Sequence, residues 1–209
     1  MKLVDLVLTE FLEKTAGSDP VPGGGSIAAL NGAIAAALTE MVANLTVGRK
    51  KYEEHEATMK AVAASAEVYR NGFVQDIDAD SEAYEKVFSA FKLPKETDEE
   101  KAERSQQIQA ATKIAAEVPL EVARKAYALM ELIEAVAEKG NQNAVTDACV
   151  ALMSARTAVL GAILNVRINL TSLKDEQYVN KIKAEIDRLE KDVAAKEQAL
   201  LKKVNEQLQ

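Results

Sequence analysis

A stiff arm and a bare loop lead straight into a helix that carries almost no charge. Asp19-Pro20-Val21-Pro22-Gly23-Gly24-Gly25-Ser26 sets two of the four prolines and three of the nine glycines of this 209-residue chain side by side. Proline fixes φ, and glycine reaches backbone conformations closed to other residues. Ser26 stands where it can cap the helix that follows. Exposed main-chain N–H groups at the positive end of a helix suit an approaching ligand. A tight turn between helices is the plainer explanation of a glycine triplet, so the rest of the chain has to decide. The run from Ser26 to Val47 is long enough to cross a bilayer. It contains Asn31, Glu40 and Asn44, however, and alanine dominates over leucine and isoleucine. That pattern reads as the buried central helix of a soluble bundle, with no membrane partner.

Composition points the same way. Hydrophobic residues reach 48 %, enough for a core, while aromatics reach 4 % and proline is rare. Alanine, leucine, glutamate and lysine favour helix almost throughout. A formal charge of −7 excludes a broad nucleic-acid footprint, which needs a concentrated basic face, yet leaves room for a local basic pocket. Cys149 is alone and forms no intrachain disulfide, which suits a reducing cytoplasm. Asp5, Glu10 and Glu13 interrupt the apolar residues of Met1 to Lys14, so that segment does not read as a signal peptide.

Periodicity predicts an all-α fold, one multi-helix bundle spanning residues 1–209. Helix one is expected over Leu3 to Ala16, with Val4, Val7, Leu8, Phe11 and Leu12 on one face. The second covers Ser26 to Val47 and stops at Gly48. The third runs from about Glu53 to Phe91, with a bend expected at Gly72, and ends before Leu93-Pro94. Thr97 and Glu100 have capping-box spacing and start the next helix. Pro119 is expected to kink or divide it, and Gly140 to end it. A further uncharged helix spans about Ala144 to Leu170. The last carries Val179, Ile182, Ile186, Leu189, Val193, Leu200 and Val204 at three- and four-residue steps, a seam suited to a neighbouring helix or a dimer partner.

Candidate chemistry gathers in four places. Asp76, Asp78 and Asp80 alternate along helix three, and at about 100° per residue they separate. Asp80 falls near the centre of the stripe Tyr69, Phe73, Ile77, Tyr84, Val87 and Phe91, Asp76 at its edge, and Asp78 largely away. A carboxylate on a core stripe is costly unless paired, hydrogen-bonded or protonated, and burial raises its proton affinity toward the useful range. Asp80 is therefore the catalytic candidate, with a structural buried acid as the alternative. Asn141, Asn143 and Asp147 form a second cluster, for which helix capping is the simpler account. Asn165 and Asn169 share a face of an apolar run, and buried amides need partners, either a polar heterocycle or other backbones. Arg49, Lys50 and Lys51 form the densest basic patch, suited to ligand carboxylates or phosphates if it shares a pocket with the glycine loop. Phosphate-loop and dinucleotide motifs fail, since no Lys follows Gly23-Gly24-Gly25-Ser26 and no strand precedes it. One histidine and one cysteine argue against a zinc site.

These motifs together resemble the cyclodeaminase/cyclohydrolase family of folate enzymes. The residues that carry the resemblance are Pro22 to Ser26 with the alanine-rich helix, Gly48 to Tyr52, Asp78-Ala79-Asp80 with Ala83-Tyr84, Phe91 to Lys95, Val118-Pro119-Leu120, Gly140-Asn141 with Asp147, and Asn165 to Leu170. It covers about residues 3 to 205. The resemblance implies a cytoplasmic homodimer that binds a tetrahydrofolate derivative as substrate and needs no metal or redox cofactor. By position it places the family's catalytic aspartate on Asp80. It makes Gly23, Gly24, Gly25, Ser26, Arg49, Lys50, Lys51, Asp78, Asn141, Asp147, Asn165 and Asn169 candidate substrate-binding residues, the basic cluster suiting the tail of a polyglutamylated folate. The implied reaction is cyclodeamination of 5-formimidoyltetrahydrofolate or hydrolysis of the 5,10-methenyl form. A non-catalytic helical interaction module, or a binder of anionic small molecules, is the alternative.

Overall fold

All regular structure among the described residues, 2–207, of the computed structural model is helical. Met1, Leu208 and Gln209, which complete the domain read across 1–209, lie outside the described residues. Six helices follow in order: α1 (Leu8–Thr15), α2 (Gly24–Asn44), α3 (Glu56–Phe91), α4 (Asp98–Lys139), α5 (Val145–Leu170) and α6 (Glu176–Gln207), with short 3-10 turns at Leu3–Asp5, Lys50–His55 and Gln142–Ala144. Helices α2 to α5 form an up-and-down bundle, with α2 antiparallel to both α3 and α5, and α6 lies in the groove between α4 and α5.

Small residues let α2 sit at the centre. A Cβ on Gly32 would stand 2.7 Å from the ring of Phe73, which is completely buried, and Gly161 of α5 rests against Ala28. Ala29, Ala35, Ala36 and Ala43 are fully buried along the same helix. Close approach of backbones gives α2 its place, since alanine contributes little apolar area of its own.

Several expectations are corrected. The first helix is short: Leu3–Asp5 is a separate turn, and of the proposed face only Phe11 is buried in α1, while Val7, Leu8 and Leu12 are exposed. Gly23, not Ser26, occupies the N-cap of α2, so the helix begins earlier and Ser26 turns inward. None of the loop glycines has positive φ; only Gly48, after α2, does, at 76°. Gly72 does not interrupt the 36-residue α3. Pro119 does not divide α4, which runs unbroken for 42 residues from the expected Thr97–Glu100 capping box. Of the two uses expected for the terminal seam, packing on neighbouring helices holds: Ile182, Ile186, Leu189, Val193, Leu200 and Val204 are buried within the chain. Ion pairs hold α6 there, with Arg124 on both oxygens of Glu185 at 2.6 and 2.7 Å and Arg167 on Glu190 at 3.0 and 2.7 Å. The seam is therefore not free for a dimer partner.

Candidate active site

The N-terminus of α2, the C-terminal third of α3, Ala115 of α4 and the C-terminal turns of α5 meet around a pocket of about 320 Å³. Pro20, Val21 and the three glycines form one wall, Asp80, Ala83, Tyr84 and Val87 another, and Asn165, Ile168 and Asn169 the third. Asp80 is half-buried, as its place on the α3 stripe predicts. Gly25 is what lets the carboxylate in: a Cβ there would overlap the Asp80 carboxyl group. The glycine is needed for closeness, not for an unusual φ.

Burial and Ser26 act on this acid in opposite directions. Its hydroxyl lies 3.2 Å from Asp80 Oδ2 and 2.9 Å from the carbonyl of Ile77, the single hydroxyl proton being shared between these acceptors. Burial pushes the Asp80 carboxyl above its ordinary range, and the Ser26 hydroxyl and backbone N–H pull it partly back. The carboxylate also faces the first turn of α2, where unpaired N–H groups favour negative charge. Burial wins, so Asp80 is an acid that holds its proton longer than an exposed aspartate.

The two amides are oriented by backbone. Asn165 Nδ2 donates to the carbonyl of Gly161 at 2.8 Å and faces Gly24. Asn169 Nδ2 donates to the carbonyls of Asn165 and Ala115, each at 2.9 Å. The Ala115 carbonyl is available because Pro119, four residues on, has no N–H to offer it. Pro119, expected to kink or divide its helix, leaves α4 undivided and frees a carbonyl beside the pocket.

The remaining candidates lie elsewhere. Asp78 accepts from the backbone N–H of Leu3 at 2.7 Å and anchors the N-terminal turn outside the pocket. Asp76 pairs with Lys125, and burial still pushes its carboxyl upward. Asn141 is buried at the opposite end of the bundle, where its N–H meets Thr46 Oγ1 at 2.8 Å, its Nδ2 meets the Leu45 carbonyl, and its Oδ1 caps Asn143. Capping and inter-loop bonding account for it. Asp147 sits at that same end, in the first turn of α5. Arg49, Lys50 and Lys51 follow the far end of α2, whose 21 residues separate them from the glycine loop by about 30 Å. Within one chain they do not reach the pocket. A larger cleft of about 770 Å³ opens between α3 and α4, but Glu82, Glu85 and Glu103 line it and it includes neither the glycine loop nor Asp80.

A family model described as formiminotransferase-cyclodeaminase matches residues 7–188. A methenyltetrahydrofolate cyclohydrolase of Methylorubrum extorquens is 45 % identical over 179 residues, 86 % of each chain. The formimidoyltransferase-cyclodeaminase of Rattus norvegicus is 33 % identical over 199 residues, which are 95 % of this chain but 36 % of the rat protein. Among solved structures, the formiminotetrahydrofolate cyclodeaminase of Thermotoga maritima matches with a TM-score of 0.87 at 32 % identity, covering 98 % of both chains. A family match over most of the chain, joined to a full-length structural match, places this protein in the formiminotransferase-cyclodeaminase family.

Proposed function

We propose that the chain is a one-carbon folate enzyme acting at the 5,10-methenyl bridge, as a methenyltetrahydrofolate cyclohydrolase. The observation that carries the reading is Asp80, a carboxyl whose proton affinity burial raises, walled by bare backbone and two amides. A pocket of about 320 Å³ is of the size that small-molecule sites have and suits the fused ring system of a folate better than the whole molecule with its glutamate tail. The bridging carbon of the substrate is cationic and sits between N5 and N10. Water adds to it while the Asp80 carboxylate takes the water's first proton. The carbon–N5 bond then breaks, and N5 takes that proton back from Asp80. The remaining hydroxyl proton leaves to solvent as the carbonyl forms, and the product carries its formyl group on N10. The glycine wall holds the bridge against Asp80, which supplies the orientation term.

The full-length match to a cyclodeaminase structure favours a second reading at the same site. There N10 of 5-formimidoyltetrahydrofolate attacks the amidine carbon, Asp80 takes the N10 proton, and the departing nitrogen receives it and leaves as ammonia. Catalytic Asp80, with Gly23, Gly24, Gly25, Asn165 and Asn169 around the substrate, serves both reactions; Ser26 is fully buried outside the lining and acts only through its bond to Asp80. Parallel absorbance assays with the methenyl and formimidoyl substrates test the assignment, because the methenyl form absorbs in the near ultraviolet. Loss of that band in water marks the hydrolase, and its appearance with ammonia release marks the deaminase. No turnover of either substrate overturns both readings.

The enzyme is read as a cytoplasmic homodimer whose substrate is a polyglutamylated folate. The lining of the pocket includes no lysine or arginine, so an anionic tail must find its cations beyond it. The Arg49–Lys51 cluster of a second copy, or of the same chain at the end of a long tail, meets that need. Charge-neutralising substitutions in the cluster that leave the preference for longer tails intact rule it out.

A further inference from the structure

Pro119 stands in the interior of α4, where proline is the least favourable of all residues. Its nitrogen carries no hydrogen, so the helical bond to the carbonyl of Ala115 cannot form. That carbonyl is buried beside the pocket and accepts instead from Asn169 Nδ2 of α5. The second hydrogen of the same amide goes to the carbonyl of Asn165. An amide nitrogen has two hydrogens, and here both are engaged by backbone oxygens. Two carbonyl partners also fix which end of the amide is nitrogen, since an amide oxygen in that place would face oxygen on both sides. Oδ1 of Asn169 is thereby left as the acceptor of a side chain that lines the pocket and is held against flipping.

We propose that Pro119 is a positioning residue for the substrate site. By withholding one N–H it gives the Ala115 carbonyl to Asn169, and so presents Asn169 Oδ1 as a fixed acceptor to the N–H donor edge of a bicyclic heterocycle. This rests on the folate reading for the identity of the ligand. The arrangement itself, a side-chain amide replacing a missing helical donor, does not. A pocket with a rigid acceptor favours ligands that bring an N–H there and disfavours analogues that bring an acceptor, whose lone pair would face that of Oδ1.

Pro119→Ala restores the backbone donor, which then competes with Asn169 for Ala115. The expected result is a KM raised about three- to tenfold, the range of one displaced hydrogen bond, with kcat within about twofold and thermal stability unchanged or higher. Asn169→Ala should raise KM by a similar factor, and adding Pro119→Ala to it should then cost nothing more. Replacing residue 119 by lactic acid, which removes the N–H without a ring, should return KM to the parent value. A Pro119→Ala enzyme with parental KM, or effects that multiply fully in the double variant, overturns the proposal. The side-chain amide protons of Asn169, followed by NMR in the unliganded protein, supply a readout free of substrate: they should be protected in the parent and lose protection in Pro119→Ala. Protection unchanged by the substitution overturns the positioning role whatever the substrate. Lost protection in a protein that turns over neither folate upholds it while removing the folate reading.

Discussion

Gly25 and Asp80 occupy one another's space so closely that no side chain fits between them. An added Cβ on Gly25 would overlap the Asp80 carboxyl, whereas one on Gly24 would meet only the amide of Asn165, at 3.2 Å. The central requirement of the glycine loop therefore falls on one position and arises from a neighbour's carboxylate.

Gly25→Ala should abolish most activity by driving the Asp80 side chain from its place, and overpacking should cost about 1–3 kcal/mol of stability. In an Asp80→Ala background the same substitution should become neutral or stabilising, because the obstacle is gone and alanine is the better helix former. Urea denaturation of the four proteins decides it: a Gly25→Ala cost that persists without the carboxylate refutes the packing account. Gly24→Ala, facing a movable amide, should be much milder.

Asp80→Asn keeps the shape of the side chain but cannot carry a proton, so turnover should fall about 10²–10⁴-fold. Stability gives an independent test. Burial raises the Asp80 carboxyl in the folded state above its unfolded value of 3.8, so the folded state binds more protons between the two values. Stability contributed by this group is thus lost as pH rises through that window, and the penalty is fully present above it. Asp80→Asn should therefore be more stable than the parent at neutral pH, with the advantage shrinking as pH falls through that window toward 3.8 and gone below it. Denaturation curves in which the variant is equally destabilised at every pH would falsify the buried-acid reading.

Asp80 was legible in the sequence because a 3.6-residue period assigns every position on a helix to a face, and its neighbours Phe73 and Ile77 are indeed buried. The capping box at Thr97 was legible for the same local reason. Periodicity names the apolar side of a helix but not what covers it, so the α6 seam could not announce that α4 and α5 already do. Ser26 was misread because a cap depends on where the first turn starts, and a glycine at position 23 moved that start forward. Pro119 could not be read at all from its own helix, since the donor replacing its N–H comes from Asn169, fifty residues on. The remoteness of Arg49 from the loop, by contrast, follows from helix length alone at about 1.5 Å per residue.

Ser26→Ala removes the hydroxyl that holds the Asp80 carboxyl down, while the Ile77 carbonyl keeps its helical partner. The proton affinity of Asp80 should then rise further. Since the base form is needed for attack, the acid limb of the kcat/KM profile should move to higher pH. The stability cost should be about 1 kcal/mol, one hydrogen bond's net worth. A pH–rate profile superimposable on the parent's would detach Ser26 from the chemistry.

The last prediction concerns how copies meet. With the α6 seam engaged, exposed apolar residues remain along α2 and α5: Ile34 and Met41 on the first with Leu45 at its end, and Val150, Met153, Leu164 and Ile168 on the second. Both helices are apolar on nearly every side, as helices covered all round must be. Their charged residues turn away, with Glu40 bound to Arg70, Arg156 to Glu197 and Arg167 to Glu190 within the chain. Helices of 21 and 26 residues, about 32 and about 39 Å long and about 10 Å wide, together present roughly 700 Å² per copy, near what a stable dimer buries once flanking loops join. A twofold axis along the helices would set Arg49, Lys50 and Lys51 against their own counterparts. An axis across them sets that cluster beside the partner's glycine loop and Asp19, and like-charge repulsion selects the second arrangement. Leu164→Glu, at a position 62 % exposed in the single chain, should leave the helical circular-dichroism signal intact. In sedimentation at micromolar concentration it should convert a dimer to a 22.6 kDa monomer. The same variant should lose any preference for polyglutamylated over monoglutamyl folate, although its own basic cluster is untouched. A parent protein that sediments as a monomer, or a Leu164→Glu variant that stays dimeric, excludes this face as the interface.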